Sequence, residues 1–232
     1  MKTSNTGHGN LLITALLSGI ITGVGMLFSV SVMAQGISGS AHDFSGATSF
    51  NDTGEICKVC HLPHNSLSPD DGPLWNRTMS AVTNYSVYTS TNKPGSVLDN
   101  TMGQPEGVSK LCLSCHDGTV ALDAFGGNGI SGAGNIETLF SANRNIGNAN
   151  LGDTTADLSN DHPVSFVLQD GLDTKIYDIA TITGSSPLEF FGAGSNRLEC
   201  ATCHDVHDDD GNNFLLRVAN AGSALCLTCH NK

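Results

Sequence analysis

The chain has 232 residues, of which 39% are hydrophobic, only 6% are aromatic and 14% are charged, and its formal net charge is −12 at pH 7. This acidic balance argues against nucleic acid as a partner, because the phosphate backbone binds basic surfaces. With 27 glycines and few aromatic side chains, the length suffices for one or two domains, but the composition is poor for an ordinary core.

The first 34 residues have the pattern of a secretory signal peptide. Lys2 precedes an apolar run, and Val32-Met33-Ala34 offers small residues before a cleavage site. An uncleaved membrane anchor is the alternative, since about 20 apolar residues can span a bilayer. In either case the rest of the chain is expected outside the cytoplasm, as a secreted, extracellular or cell-surface protein or, alternatively, in the periplasm.

The elements predicted after this segment are short and separated by loops. The stretch 208–213 is expected to be a solvated turn, because its spacing does not fit an EF-hand calcium loop. In chain order we predict an extended arm (35–50), a short helix (55–60), a loop with at most one short strand (80–107), a helix (108–125), a Gly/Asn-rich loop (126–161), two strands that could form a hairpin (164–168 and 175–182), and two short helices (198–204 and 221–230).

All eight cysteines fall into four copies of the pattern C-x-x-C-H, the attachment signature of c-type haem. Two thiols on one helical turn can form thioethers to one porphyrin, and the following histidine can ligate its iron. A redox dithiol or half of a zinc site explains a lone CxxC, but not a histidine after every pair. We therefore predict four covalently bound haem c groups, with these cysteine and proximal histidine residues: Cys57, Cys60 and His61; Cys112, Cys115 and His116; Cys200, Cys203 and His204; Cys226, Cys229 and His230.

Four haems would also supply the apolar surface that the composition lacks. The predicted fold class is a multihaem c-type cytochrome, mostly irregular, with a few short helices and minimal strand, wrapped around four closely packed haems. A ratio of roughly one haem per 50 residues favours an electron carrier over an enzyme with an accessory haem.

A longer pattern occurs twice along the chain. Each copy contains a leading histidine, a CxxCHxxH motif and an LCLxCH motif. We predict a first dihaem module at 35–125 and a second at 155–232, joined by a Gly/Asn-rich linker at 126–154; the repeated features are His42, Cys57–His64 and Leu111–His116 in the first and His162, Cys200–His207 and Leu225–His230 in the second.

Four further histidines are candidate distal ligands: His42, His64, His162 and His207. Their number equals that of the haems, and the chain after the signal segment contains only two methionines. We therefore predict low-spin, low-potential iron with two histidine ligands throughout, because methionine ligation raises the potential. The competing interpretation of each is a surface histidine, a turn residue or a hydrogen-bond donor to a propionate.

The spacing within CxxCHxxH separates its two histidines onto different haems. His64 follows His61 by three residues, so on a helical turn their Cβ atoms lie about 5–6 Å apart on one face. They cannot grip one iron from opposite sides, and the same holds for His204 and His207. We expect His207 to serve the haem of His230, and His64 that of the second motif.

The stretches around the motifs resemble the extracellular tetrahaem c-type cytochromes that polymerise into conductive filaments, or nanowires, of metal-reducing bacteria. The resemblance implies haems in alternating stacked and T-shaped pairs, electron transfer to solid acceptors, and an axial histidine that can come from the adjacent subunit. The resembling stretches are 42–45, 56–61 with 63–65, 73–76, 111–120, 161–166 and the two C-terminal motifs.

The chain offers a route to such a polymer. His42 lies on the predicted arm, and His230 lies two residues from the C-terminus. If His42 ligated a haem of the neighbouring subunit, the contact would be head-to-tail and would build an open filament. The expected partners are other copies of the chain, redox donor and acceptor proteins, and extracellular metal oxides.

Two other functions compete with a filament-forming electron carrier. A soluble periplasmic tetrahaem shuttle would use the same haems without a polymer. A multihaem nitrite or hydroxylamine reductase would need an iron with an open position, as catalytic metals do. The number of histidines argues against that enzyme, and we predict no catalytic residues.

Overall fold

The computed structural model describes residues 36–47, 49–64, 66, 72–89, 103–129, 145–207 and 211–232. They all belong to the unit Ala34–Lys232. Within these ranges, no helix has the length and apolar character needed to cross a bilayer. The predicted signal segment and the acidic residues 208–210 of the predicted turn lie outside the described residues.

Regular structure is sparse, and the expectation of a mostly irregular chain is confirmed for the described residues. Several 3-10 turns supplement the helices and strands, at Phe44–Gly46, Cys57–Val59, Asn213–Leu215 and Ala221–Ser223. The helices are α1 (Gly107–His116), α2 (Ile179–Ser185), α3 (Cys200–Cys203) and α4 (Ala224–Cys229), and the strands are β1 (Asn84–Val87), β2 (Thr155–Leu158), β3 (Phe166–Val167) and β4 (Arg197–Leu198).

Strand β2 lies in the stretch 126–161, where a loop without strands was predicted. Ala156 and Leu158 of β2 are buried and alternate with exposed neighbours, as a half-buried strand requires. β2 pairs in parallel with β1, and Tyr85 lies opposite Ala156. The loop prediction is therefore wrong for these residues, because a partner distant in sequence decides the outcome.

The strand predicted over 175–182 is also wrong. Its second half belongs to α2, where the backbone N–H of Ile179 donates to the Asp170 carboxylate at 2.8 Å. This bond satisfies a donor that a helix start leaves open. β3 pairs instead with β4 in antiparallel register, with Phe166 opposite Leu198, so the predicted hairpin does not form.

Helix α1 ends at His116, although the sequence pattern predicted a helix to residue 125. Gly118 has a φ of +82°, a conformation that glycine adopts readily. The Asp117 carboxylate accepts the backbone N–H of Thr119 at 2.9 Å and closes the turn. The following residues, Val120 and Ala121, are buried without helical structure.

Two small apolar clusters pack against the motif helices. Leu113 of α1 belongs to the first cluster, and Leu225 and Cys229 of α4 pack against the second. The clusters therefore hold these motif helices on the rest of the chain. Their buried members are Val82, Tyr85, Leu113, Ala149, Ala156 and Leu158 in the first and Phe166, Leu168, Ile182, Leu188, Phe190 and Leu198 in the second.

Candidate functional site

Each C-x-x-C-H motif lies on a short helical turn. Cys57–Val59 forms a 3-10 turn, and the other motifs lie on α1, α3 and α4. The backbone N–H of the motif histidine donates to the carbonyl of the first cysteine in three motifs: His61 to Cys57 at 2.7 Å, His204 to Cys200 at 3.1 Å, and His230 to Cys226 at 2.9 Å. This bond closes the turn and holds the histidine and both thiols together, as haem attachment requires.

The cysteines of successive motifs lie close to one another. Burial and, more weakly, nearby Cys115 raise the pKa of Cys60 to about 12. Cys112 donates a hydrogen bond to Cys200, which raises the pKa of Cys112 and lowers that of Cys200. The described contacts therefore connect the first motif to the second and the second to the third.

The fourth motif continues this series. Burial and, more weakly, Cys229 raise the pKa of Cys203 to about 11, and burial raises that of Cys229 to about 11. A buried site that disfavours thiolates suits thioethers, which carry no charge. The four attachment sites thus follow one another in space in the order of the sequence.

Two pairs of predicted ligands face each other. The ring centres of His42 and His116 lie 6.0 Å apart, and those of His61 and His207 lie 6.4 Å apart with 21° between the planes. A metal–imidazole bond is about 2.0 Å long, so imidazoles on opposite sides of one iron have ring centres about 6 Å apart. Both ring-centre distances are close to that value.

Backbone carbonyls orient three of the candidate ligands. The Nδ1 atom of His61 lies 2.8 Å from the Pro73 oxygen, that of His204 lies 3.0 Å from the Phe214 oxygen, and that of His162 lies 2.9 Å from the Pro163 oxygen. Since a carbonyl only accepts, Nδ1 carries the proton and Nε2 keeps its lone pair. Metal-bound histidines usually make this bond with the nitrogen that does not ligate.

These contacts differ from the pairing expected from the sequence. His207 lies against His61 rather than in the expected pair with His230, and His42 rather than His64 lies against His116. The backbone N–H of His207 donates to Asp205 at 2.9 Å, which bends the chain after the third motif. That His204 and His207 serve different haems stays a prediction from their spacing.

Both CxxCHxxH motifs bind a partner segment through equivalent hydrogen bonds. The partner segments are 73–77 and 214–218, and Leu74 and Leu215 both have a φ of +57°. Three hydrogen bonds around the first motif each have a counterpart around the third. The bond of His61 Nδ1 with Pro73 O corresponds to that of His204 Nδ1 with Phe214 O. The bond from Leu62 N to Leu74 O corresponds to that from Asp205 N to Leu215 O, and the bond from Asn76 N to Cys60 O corresponds to that from Arg217 N to Cys203 O. The sequence repeat therefore has a structural counterpart, which the loose similarity of the two segments did not reveal.

A buried carboxylate joins the second and third motifs. Glu199 is 1% exposed and accepts hydrogen bonds from the hydroxyls of Ser109 on α1 and Ser165. Its other oxygen pairs with Arg197 Nε at 3.2 Å, and the backbone N–H of Cys200 donates to the Ser109 hydroxyl at 2.9 Å. Motif spacing gave no signal of this junction, because its parts come from distant segments.

His162 lies beside the third attachment site. Its side chain lines a largely apolar pocket together with Cys200, Leu113, Val164 and Tyr88. His64 is exposed. The predicted distal ligands are thus two that face a motif histidine, one that lines a pocket beside a motif cysteine, and one at the surface.

The C-terminal part of the chain is similar to a known family. Residues 193–232, which contain the third and fourth motifs, match the doubled CXXCH motif family. No curated protein matches the chain. The eight cysteines form four CXXCH sites, which is consistent with four haem c groups. The match and the repeated motif indicate a multihaem c-type cytochrome with a role in electron transfer.

Proposed function

We propose that this cytochrome is an electron carrier and not an enzyme, and that its four haems form one path in the order of the motifs. The observation that carries this proposal is the proximity of cysteines in successive motifs: Cys112 is hydrogen-bonded to Cys200, and electrostatic interactions link Cys60 with Cys115 and Cys203 with Cys229. A haem iron with two histidine ligands passes single electrons and leaves no position for a substrate. The chain's contribution is to hold neighbouring haems close together.

Two haems receive both ligands from one chain in this proposal. His61 and His207 would hold the first haem, and His116 and His42 the second, because their ring spacings fit a shared iron. In this proposal His42 ligates a haem of its own chain. The contact between copies that the sequence suggested for His42 is then made by another histidine.

The structural repeat assigns the remaining ligands. In the first half, the leading histidine His42 faces the histidine of the LCLxCH motif. By this equivalence we infer that His162 pairs with His230 in the second half, although its side chain also lines the pocket beside Cys200. His204 then needs a distal ligand, and exposed His64 is the remaining candidate.

The same repeat supplies a route to a filament. Within one chain, the last histidine of the second CxxCHxxH motif, His207, reaches back to His61 of the first. If copies follow one another, the first CxxCHxxH motif of one copy comes after the second CxxCHxxH motif of the preceding copy. By the same relation, His64 of the one copy would reach back to His204 of the preceding copy. This contact joins different surfaces head-to-tail and need not close, so it would build a filament. Such a secreted filament would export electrons to metal oxides or redox proteins.

Two matched variants of the secreted holoprotein test this proposal. His64→Ala should keep four haems by mass spectrometry but form no filaments in electron microscopy. His42→Ala should keep the filaments and convert one haem per chain to the high-spin state. Filaments that survive His64→Ala would refute the assembly route. Single particles of the wild-type chain with four low-spin haems would favour the soluble periplasmic shuttle.

A further inference from the structure

Arg77 is a buried cation beside the first two motifs. Its side chain is 1% exposed, and its guanidinium donates to the carbonyls of Leu122 and Ala121 at 2.8 and 2.9 Å. Its Nε is buried without a hydrogen-bond partner. Among the described residues, no carboxylate lies within 4 Å of this guanidinium. Arginine keeps its proton in proteins, so this charge is permanent.

Arg77 lies near the attachment sites of the first and second motifs. The preceding residue, Asn76, donates its backbone N–H to Cys60 at 2.8 Å, and Arg77 itself pairs with Phe125 downstream of the second motif. Burial raises the pKa values of both Cys60 and Cys115, and the Arg77 charge opposes both increases. Its field therefore acts on the attachment points of both haems.

Asp117 is a buried charge of the opposite sign. It directly follows His116 and is 0% exposed. One carboxylate oxygen accepts the hydroxyls of Ser80 and Tyr85, and the other accepts the backbone N–H and the hydroxyl of Thr119. These four donors occupy the acceptor sites of the carboxylate, so the Asp117 side chain is fixed in place beside the second motif.

The surroundings of Asp117 leave its charge without a direct cation. Lys110 Nζ stands 4.8 Å over the Tyr85 ring and donates to the Val82 carbonyl at 2.7 Å. Among the described residues, no cation lies within ion-pair distance of Asp117. Buried charges are screened much less than exposed ones, so the field of Asp117 persists at the second attachment site.

We propose that Arg77 and Asp117 are residues that tune the redox potentials of the first two haems. Reduction adds one electron to a haem, so a nearby cation favours the reduced form and raises the potential, whereas an anion lowers it. Arg77 raises the potentials of both haems, and Asp117 lowers that of the second. The two charges together make electron transfer from the second haem to the first more favourable. This inference rests on the haem attachment in the proposed function and is independent of filament formation.

Redox titration of the four-haem protein, followed by its visible spectrum, tests the inference. Arg77→Gln should shift two of the four haem transitions to more negative potentials, and Arg77→Lys should restore most of this shift. Asp117→Asn should shift one transition to a more positive potential. Lys175→Gln is the matched control, because Lys175 is an exposed cation outside the four motifs whose charge is screened by solvent.

The outcomes separate tuning from a structural role. A merely structural Arg77 would reduce haem content or stability and leave the remaining potentials in place. Unchanged transitions in Arg77→Gln, or a positive shift, would overturn the inference. If that variant loses haem, Asp117→Asn decides the question, and an unchanged or lowered potential would refute it. A high-spin signal in intact wild-type filaments would instead contradict the proposed ligation, so the two failures are distinguishable.

Discussion

The imidazole rings of His61 and His207 are nearly parallel, with 6.4 Å between their centres and 21° between their planes. His61 belongs to the first motif, and His207 closes the third, so both halves of the chain contribute to one prospective haem site. The pairing of β1 with β2 and the hydrogen bond from Ser109 to Glu199 connect the same halves. The predicted modules therefore share contacts within one unit.

Removal of His207 should expose the iron of the first haem. His207→Ala is expected to retain four covalent haems, because all cysteines remain, and to show one high-spin ferric signal per chain by electron paramagnetic resonance. Val206→Ala, a change at the neighbouring exposed position, should keep the wild-type spectrum. A fully low-spin spectrum of His207→Ala would contradict this pairing.

Assembly and spin state should be linked. If His64 ligates a haem of the preceding copy, mild dissociation of filaments into single chains leaves one iron per chain with an open position. Absorbance and paramagnetic resonance should then show one high-spin haem among four, and reassembly should reverse the change. Dissociated chains that stay fully low-spin would show that every ligand comes from within the chain.

The turn after α1 should be intolerant of a side chain. A Cβ at Gly118 would collide with the Asn145 side chain and the Ala149 carbonyl, in a backbone with φ of +82°. We expect Gly118→Ala to lower the free energy of unfolding by about 2–4 kcal/mol in denaturant titrations. Gly127→Ala is the control, since its φ is +90° but the space is open, and should cost about 1–2 kcal/mol. Equal losses would show that the collision is relieved.

The Glu199 junction should contribute measurably to stability. Glu199→Gln replaces an acceptor with a donor among hydroxyls that donate to it, and we expect a loss of about 1–3 kcal/mol. The matched change Glu189→Gln removes the charge of an exposed carboxylate that pairs with Arg217 at 3.3 Å, and should cost less than about 1 kcal/mol. Comparable unfolding midpoints for the two variants would argue against the junction.

Tyr85 should make the fold sensitive to alkali. Burial, with smaller contributions from neighbours that include Asp117, raises the pKa of its phenol well above the usual range. The neutral phenol is therefore favoured in the folded state. Its contribution is complete below the unfolded-state pKa of about 10 and declines as the pH rises above that value. The free energy of unfolding should fall less steeply with pH in Tyr85→Phe than in the wild type; identical slopes would contradict this role.

The attachment sites could be predicted from the sequence because their chemistry is local. Two thiols and a histidine on one turn specify a haem site without any distant partner. The sparse regular structure also followed from composition, since glycine and loop-forming residues dominate. The repeat of CxxCHxxH could be read from the sequence, whereas the equivalent hydrogen bonds around His61 and His204 are seen only in the structure.

Contacts between distant segments could not be predicted in the same way. Which histidines face each other depends on how the two halves pack, whereas the spacing within CxxCHxxH predicts only that His204 and His207 belong to different haems. The pairing of β1 with β2 likewise depends on a partner strand distant in sequence. Helix α2 depends on Asp170, which accepts the backbone N–H at its start. Buried Arg77 and Asp117 had no motif to reveal them, because their significance comes from burial.

Electron paramagnetic resonance of the assembled, fully oxidised protein tests the ligation most directly. We predict four low-spin ferric haems per chain, each with the signature of two histidine ligands, and no high-spin iron. One high-spin haem per chain in intact filaments would contradict it, because an open iron position would then exist where we propose that electrons only pass through.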